Sequence, residues 1–451
     1  MFERLIIQEL KRWKKSSHRK PLILRGARQV GKTTVVNIFA NSFEQYVYLN
    51  LDIKKDKELF LKYNSIKDLV TAIFFEKNKN LSSTDTLIFI DEIQEVPEAF
   101  AMLRYFYEEY PQYYVIAAGS LLETLFDNTI SFPVGRVEYC VVRPFSFAEY
   151  LNAMGETAAL EQYNTVPIAP FAHDKLQNLF HEYTLIGGMP EVVAMYAETR
   201  DLLTLKPIFE SLILSYIDDV EKYSKNQNQV HIMRHAIRSC FREAGYRIKF
   251  QGFGKSNYGS REMGEVLRSL EKAMLIHLIY LTNQTALPLL PDVKCSPRLH
   301  VLDTGMLNYF AGIQKLVFGT NDLNTIYQGH IAEHIVGQEL LAQQTGFLES
   351  LRFWTREKKN SSAEVDYLCN FDGEVIPVEV KSGATGRLRS LHLYMEESDS
   401  NLAIRLYAGA FSTDDITTLN GKKYKLLNIP YYLAGKLGEY VKNENHEKVL
   451  H

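Results

Sequence analysis

A mostly parallel α/β domain, a helical region and a smaller mixed α+β domain, in that order, are what the sequence predicts. Three observations carry this reading. Short apolar runs alternate with helical stretches over residues 1–150, β runs become scarce from about Phe145 to His330, and strand-like runs return after Gly329. In the first part LIL (22–24), YVYLNL (46–51), TLIFID (86–91) and YYVIAAGS (113–120) read as strands separated by helical patterns. In the second, LLTLKPIFESLILSYIDDVEKY and REMGEVLRSLEKAMLIHLIYL carry helical periodicity. In the third, a helix around AEHIVGQELLAQQ precedes strand-like runs at EVDYLCN, EVIPVEVK, LAIRLYAGAF and KYKLLNI.

Composition narrows the function classes. With 451 residues, 46% of them hydrophobic and 23% charged, the chain has material for several cores, which excludes wholesale disorder and a staple-dependent miniprotein. The 51 Lys and Arg against 54 Asp and Glu give a net charge of −3, so any nucleic-acid-binding surface must be local. Cys140, Cys240, Cys295 and Cys369 are scattered, without zinc or disulfide spacing, and read as core thiols of a reducing compartment. No apolar run approaches the roughly 18 residues of a membrane span. A cytoplasmic protein with no membrane partner is the expectation.

The sharpest motif is Gly26-Ala27-Arg28-Gln29-Val30-Gly31-Lys32-Thr33-Thr34, which fits GxxxxGK[ST] between a strand and a helix. Backbone N–H groups there would curl around the phosphates of ATP, Lys32 would reach the β- and γ-phosphates, and Thr33 would place its hydroxyl on Mg²⁺. The run TLIFIDEIQ delivers Asp91 to the metal and Glu92 to the attacking water, both at a strand's carboxyl end. Ser120, closing the next strand, is a candidate γ-phosphate contact.

GARQVGKTT, LIFIDEIQ, VIAAGS, FPVGRVEY with RPFSFAEYL, and LIGGMPEVV together resemble the successive motifs of bacterial and archaeal AAA-type ATPases. In particular they resemble the family whose ATPase is followed by a C-terminal domain of unknown function. The resemblance implies a P-loop NTPase sheet in which the strand ending in Ser120 separates the P-loop strand from the Asp91 strand. It makes Ser120 the sensor and Arg136 a candidate arginine finger, in cis or in trans, and it makes the chain an ATP-hydrolysing enzyme. It makes GGMP a helix-joining turn through which a lid senses nucleotide. AAA-type ATPases often assemble into rings, so the chain itself is a candidate partner. The expected divisions are an ATPase core at 1–145, a helical lid and linker at 146–220, a basic winged-helix-like region at 221–328 and a nuclease-like domain at 329–451.

Between Lys222 and Lys272 eleven Lys and Arg face four acids. Arg234, Arg238 and Arg242 recur every four residues beside an apolar stripe of Val230, Met233, Ile237 and Phe241. The Arg stripe reads either as a contact to DNA phosphates or as a solvated helix face. The stretch YGSREMGEVLRSLEKAMLIHLIYL reads as a helix running into a strand, compatible with a winged helix-turn-helix.

The third region carries Glu333 on a helix, Asp366 in EVDYLCN, and Glu379 and Lys381 in EVIPVEVK, the layout of PD-(D/E)xK nucleases on a restriction-endonuclease-like α+β fold. Such chemistry needs oxygen ligands for Mg²⁺ and a Lys beside the scissile phosphate. The dipeptide Asp372-Gly373 is a two-residue hairpin signal. Counting outward from it sets Asp366 opposite Glu379, and Glu364 opposite Lys381. Two functions follow: an ATPase coupled to a nuclease-like, DNA-acting domain, or a nucleotide-controlled switch or scaffold whose C-terminal domain binds DNA or protein without cutting.

Overall fold

The computed structural model describes residues 2–119, 135–219, 224, 226–312, 330–346, 350–358, 361–381 and 388–450. Ser120 lies outside them. The chain divides into two compact units, Met1–Arg143 with the short segments Lys272–Met274 and Gln344–Leu348, and the remainder. Among the described residues no helix is long and apolar enough to cross a membrane.

The first unit is a parallel sheet of β1 (Leu22–Arg25), β2 (Gln45–Asn50), β3 (Thr86–Asp91), β4 (Tyr114–Ala118) and β5 (Glu138–Val141), in the order β2-β3-β4-β1-β5. β4 pairs with β1 at Leu22↔Ile116 and with β3 at Ile88↔Val115. The strand leading to Ser120 therefore does separate the P-loop strand from the Asp91 strand. β1 and β3 are buried along their whole length, as central parallel strands covered on both faces must be. Ile23, Ile88, Ile90 and Ala117 join Leu69, Ile73, Leu103 and Phe106 from the covering helices in one core. β5 escapes the sequence reading because it is four residues long and opens with Glu138 and Tyr139, both only partly buried.

In the second unit, helices fill Phe147–Ala153, Thr157–Tyr163, His173–Ile186, Pro190–Thr199 and Lys206–Asp218. Ser146 and Glu149 close a reciprocal capping box at the start of the first. The GGMP turn is gripped by a loop distant in sequence: Asp303 caps the helix Thr304–Ala311 through the Met306 N–H and accepts the Gly188 N–H at 2.6 Å. A Cβ on Gly188 would meet the Phe145 carbonyl oxygen at 2.2 Å, so glycine is required for the close approach itself.

The helices Gln227–Glu243 and Ser260–Lys272 lead into β6 (Ile276–Thr282) and β7 (Arg298–Val301). These two strands do not close a body of their own. They continue a mixed sheet with β8 (Arg352–Lys358), β9 (Ser361–Phe371), β10 (Glu374–Val380), β11 (Leu402–Tyr407), β12 (Ser412–Thr417) and β13 (Lys423–Pro430). Its order is β12-β13-β11-β10-β9-β8-β6-β7. The expected boundary at 328/329 thus runs across one sheet, with β6 and β8 paired in parallel at Tyr280↔Arg352. The Asp372-Gly373 hairpin forms with positive φ at both residues, and its register runs from Glu374↔Phe371 to Val378↔Tyr367 as counted.

Candidate nucleotide site and acid cluster

In the first unit Gly31, with φ of 90°, turns the chain into the helix Lys32–Ala40. That helix has no side-chain cap, so its first N–H groups and the positive end of its dipole remain available to an anion. The loop is braced from below by Arg4, buried, whose guanidinium donates to the Val30 carbonyl at 3.0 Å. Ala27 and Val30 are buried, Arg28 is half-buried, and Gln29 and Thr34 face outward. Lys32 lays its ammonium on the loop's own carbonyls, 3.0 Å from Gly26 O and 2.9 Å from Ala27 O. Burial brings it down to about 8, with Glu92 and Asp91 pulling the other way and Arg28 adding to the depression.

Asp91 ends β3, and its Oδ2 accepts the Thr33 hydroxyl at 2.7 Å and the Tyr48 hydroxyl at 3.3 Å. Burial raises its pKa, and the Thr33 hydrogen bond opposes the rise. Glu92 adopts left-handed backbone, φ 51°, and accepts from the Gln94 amide at 2.6 Å. The hydroxyl of Thr33 against the carboxylate of Asp91 is a pair of hard oxygens beside the anion-binding helix end, a donor set suited to Mg²⁺. Arg136 is placed elsewhere: it precedes β5, whose Glu138 pairs with Leu22 at the amino end of β1, and its Nε donates to Glu108 at 2.9 Å. A strand length of about 13 Å separates that edge from the P-loop, so in this arrangement Arg136 is not a finger for its own chain's nucleotide.

In the second unit the helix His330–Ala342 is fixed by buried His334, whose Nε2 accepts the Val301 N–H at 3.1 Å while its ring stacks on His300 at 3.8 Å. This seats Glu333 beside β7 and β9. Between these elements lies Arg298, 4% exposed, a residue that sequence reasoning missed. Its Nη1 stands 3.3 Å from Glu333 Oε2, its Nη2 3.6 Å from Asp366 Oδ1, and Nη2 also bridges Glu364. Burial works against its charge, but Glu333 and Asp366 more than compensate and leave its pKa raised. Burial and then Asp366 push both Glu333 and Glu379 up, while Arg298, and for Glu379 also Lys381, pull them back down.

The ammonium of Lys381 bridges Glu379, and Glu364, counted opposite it, is taken by Arg298. Glu333, Asp366 and Glu379 do converge, but around a guanidinium. Among the described residues no group of three or more His, Cys, Asp or Glu side chains is arranged to hold a metal ion. With Arg298 set against Glu333 and Asp366, and Lys381 against Glu379, the expected Mg²⁺ site of these three acids does not fit the residues present. An Arg opening the short strand-like run RLHV was the signal available in the sequence.

On the helix Gln227–Glu243, Arg238 and Arg242 are exposed and Arg234 is half-buried, while Val230, Met233, Ile237 and Phe241 are buried. The two stripes segregate as their spacing requires.

A family model described as "AAA domain" matches residues 18–151. Two described as domains of unknown function, DUF8612 and DUF4143, match residues 177–316 and 328–432. No curated protein matches the chain. Among solved structures it is similar to the Walker-type ATPase PABY2304 of Pyrococcus abyssi, at 15% identity, TM-score 0.44, over 69% of this chain and 96% of that one. It is also similar to the Thermotoga maritima RuvB Holliday junction branch migration motor, at 15% identity, TM-score 0.28, over 61% and 90%. A third similarity is to the Aeropyrum pernix ORC1 protein in complex with DNA, at 13% identity, TM-score 0.29, over 69% and 92%. Residues 18–151 thus match an AAA domain and carry the P-loop described above.

Proposed function

We propose that the chain hydrolyses ATP with Mg²⁺ in its first unit and acts as a nucleotide-controlled switch whose second unit binds DNA without cutting it. The observation that carries the ATPase reading is the contact of Thr33 with Asp91 beside the uncapped, lysine-bearing helix end. Lys32 leaves the Gly26 and Ala27 carbonyls for the β- and γ-phosphates. Glu92 orients the attacking water and takes its proton. Mg²⁺, held by Thr33 and Asp91, would supply positive charge to the phosphate oxygens in the transition state. The DNA reading is favoured by the exposed Arg238 and Arg242, whose charges are free to face phosphates.

The test is steady-state ATP turnover of the full chain with Mg²⁺, beside Glu92→Gln and Lys32→Ala. Turnover that is measurable in wild type and collapses in both supports the reading; turnover that survives Glu92→Gln sinks it. DNA binding is followed separately by fluorescence anisotropy against salt, with Arg238→Glu/Arg242→Glu expected to weaken it.

A further inference from the structure

A nuclease-type acid cluster without a metal would carry several buried carboxylates with nothing to balance them, which desolvation makes costly. This chain balances them from within. Glu333 comes from a helix, Glu364 and Asp366 from β9, and one guanidinium on β7 reaches all three. The fixed fork of an Arg suits such a role, because it presents several donors in one plane to carboxylates on different elements. The face of Arg298 is covered by the Phe353 ring, 4.9 Å away, and its strand is buried at all four positions. Asp366 is held from the other side as well, its Oδ2 accepting the Val380 N–H at 2.8 Å. Glu379 is taken by Lys381, and Arg247 stands 3.9 Å from the second oxygen of Glu364.

A divalent ion needs its oxygen ligands, the carboxylates among them, within about 2.0–2.6 Å at once. Here Glu333 and Asp366 are occupied by a cation that cannot be deprotonated.

We propose that Arg298 stands in the position of the metal, so that the acid cluster of the second unit is neutralised by the chain itself and takes up no divalent ion. The inference rests on reading that unit as a nuclease-like fold that binds without cutting, and it says why such a fold does not cut.

The experiment titrates Mn²⁺ alone, without nucleotide, into the full-length protein and counts bound ions by calorimetry and electron paramagnetic resonance. Wild type and Asp366→Asn are expected to bind the same number of ions, those of the first unit. Arg298→Gln is expected to gain one Mn²⁺ per chain, lost again in Arg298→Gln/Asp366→Asn. An ion present in wild type and missing in Asp366→Asn would overturn the proposal, as would a folded Arg298→Gln that gains none. If Arg298→Gln fails to fold, the comparison of wild type with Asp366→Asn decides alone. Failure of DNA binding would leave the ion count unchanged, so the two readings fail separately.

Discussion

Lys32 and Arg298 are both buried cations, and they rest on opposite kinds of partner. Lys32 lies on two neutral carbonyls of its own loop, in a pocket where burial already weakens its charge. Arg298 lies among carboxylates that strengthen its charge against the same burial. The first arrangement leaves a demand for negative charge that a phosphate can meet. The second leaves none. A cluster of functional-looking residues is thus a site only when its internal charges are unmatched.

Changes on either side of this comparison should differ in kind. The largest effect is expected from Glu92→Gln, which should lower turnover on the order of 10²–10⁴-fold while ATP still binds, because only the general base is lost; rapid-quench turnover beside equilibrium nucleotide binding checks it. Next, Arg298→Ala should destabilise the second unit by about 3–5 kcal/mol, since it strands facing buried acids. Urea unfolding measures this, and a loss under about 1 kcal/mol would break the comparison at its acidic side.

Glu339 sharpens the comparison, because it is a buried acid with no cation among the causes that set its charge in the described residues. Its Oε1 accepts the Phe147 N–H at 2.8 Å and meets the Tyr183 hydroxyl at 2.8 Å, while Oε2 has no hydrogen-bond partner among the described residues. Burial first, with Glu149 adding to it, raises its pKa from 4.5 to about 7. The folded state therefore holds a proton that the unfolded state releases. Its contribution is fully present below about pH 4.5 and is lost as pH rises through about 7, by about 3 kcal/mol in all. Thermal melts of wild type should fall across that window relative to Glu339→Gln; parallel pH profiles would refute the assignment.

Arg238→Glu/Arg242→Glu should weaken DNA binding and make its salt dependence shallower, by a slope of roughly 2 in log–log terms for two phosphate contacts. The smallest change is expected from Tyr48→Phe. It removes a 3.3 Å hydrogen bond to Asp91 and should alter the Mg²⁺ dependence of turnover by a few-fold, about 1 kcal/mol, without abolishing it.

What could be read in the sequence follows from how local the determinants are. The phosphate loop lies within a run of nine residues, so residue type and spacing specify it, and Thr33 meets Asp91 as their chemistry requires. The acids of β9 and β10 were legible because a tight Asp-Gly turn fixes cross-strand register over many residues. Arg298 was not, because it enters from a strand four residues long, paired to β6 and far in sequence from the acids it serves. The role of Asp303 escaped for the same reason: its partner Gly188 lies more than a hundred positions away. Both residues act through tertiary contacts to which no periodicity points. β12 was missed because it is an edge strand with exposed polar and acidic residues and lacks the apolar alternation of a covered strand.

The eight-stranded sheet also bears on how this chain can be divided. One margin, β12, carries exposed Asp414 and Asp415, whose charges discourage a further strand from adding. At the start of β8, by contrast, Phe353 and Trp354 are buried, and β6 covers this stretch of backbone from the other side of the expected boundary. A fragment beginning at residue 329 would lose that cover and present an adhesive strand to other copies of itself. The basic middle region is, in this sense, a built-in guard against aggregation for the part that follows it, and the two travel as a single folding unit.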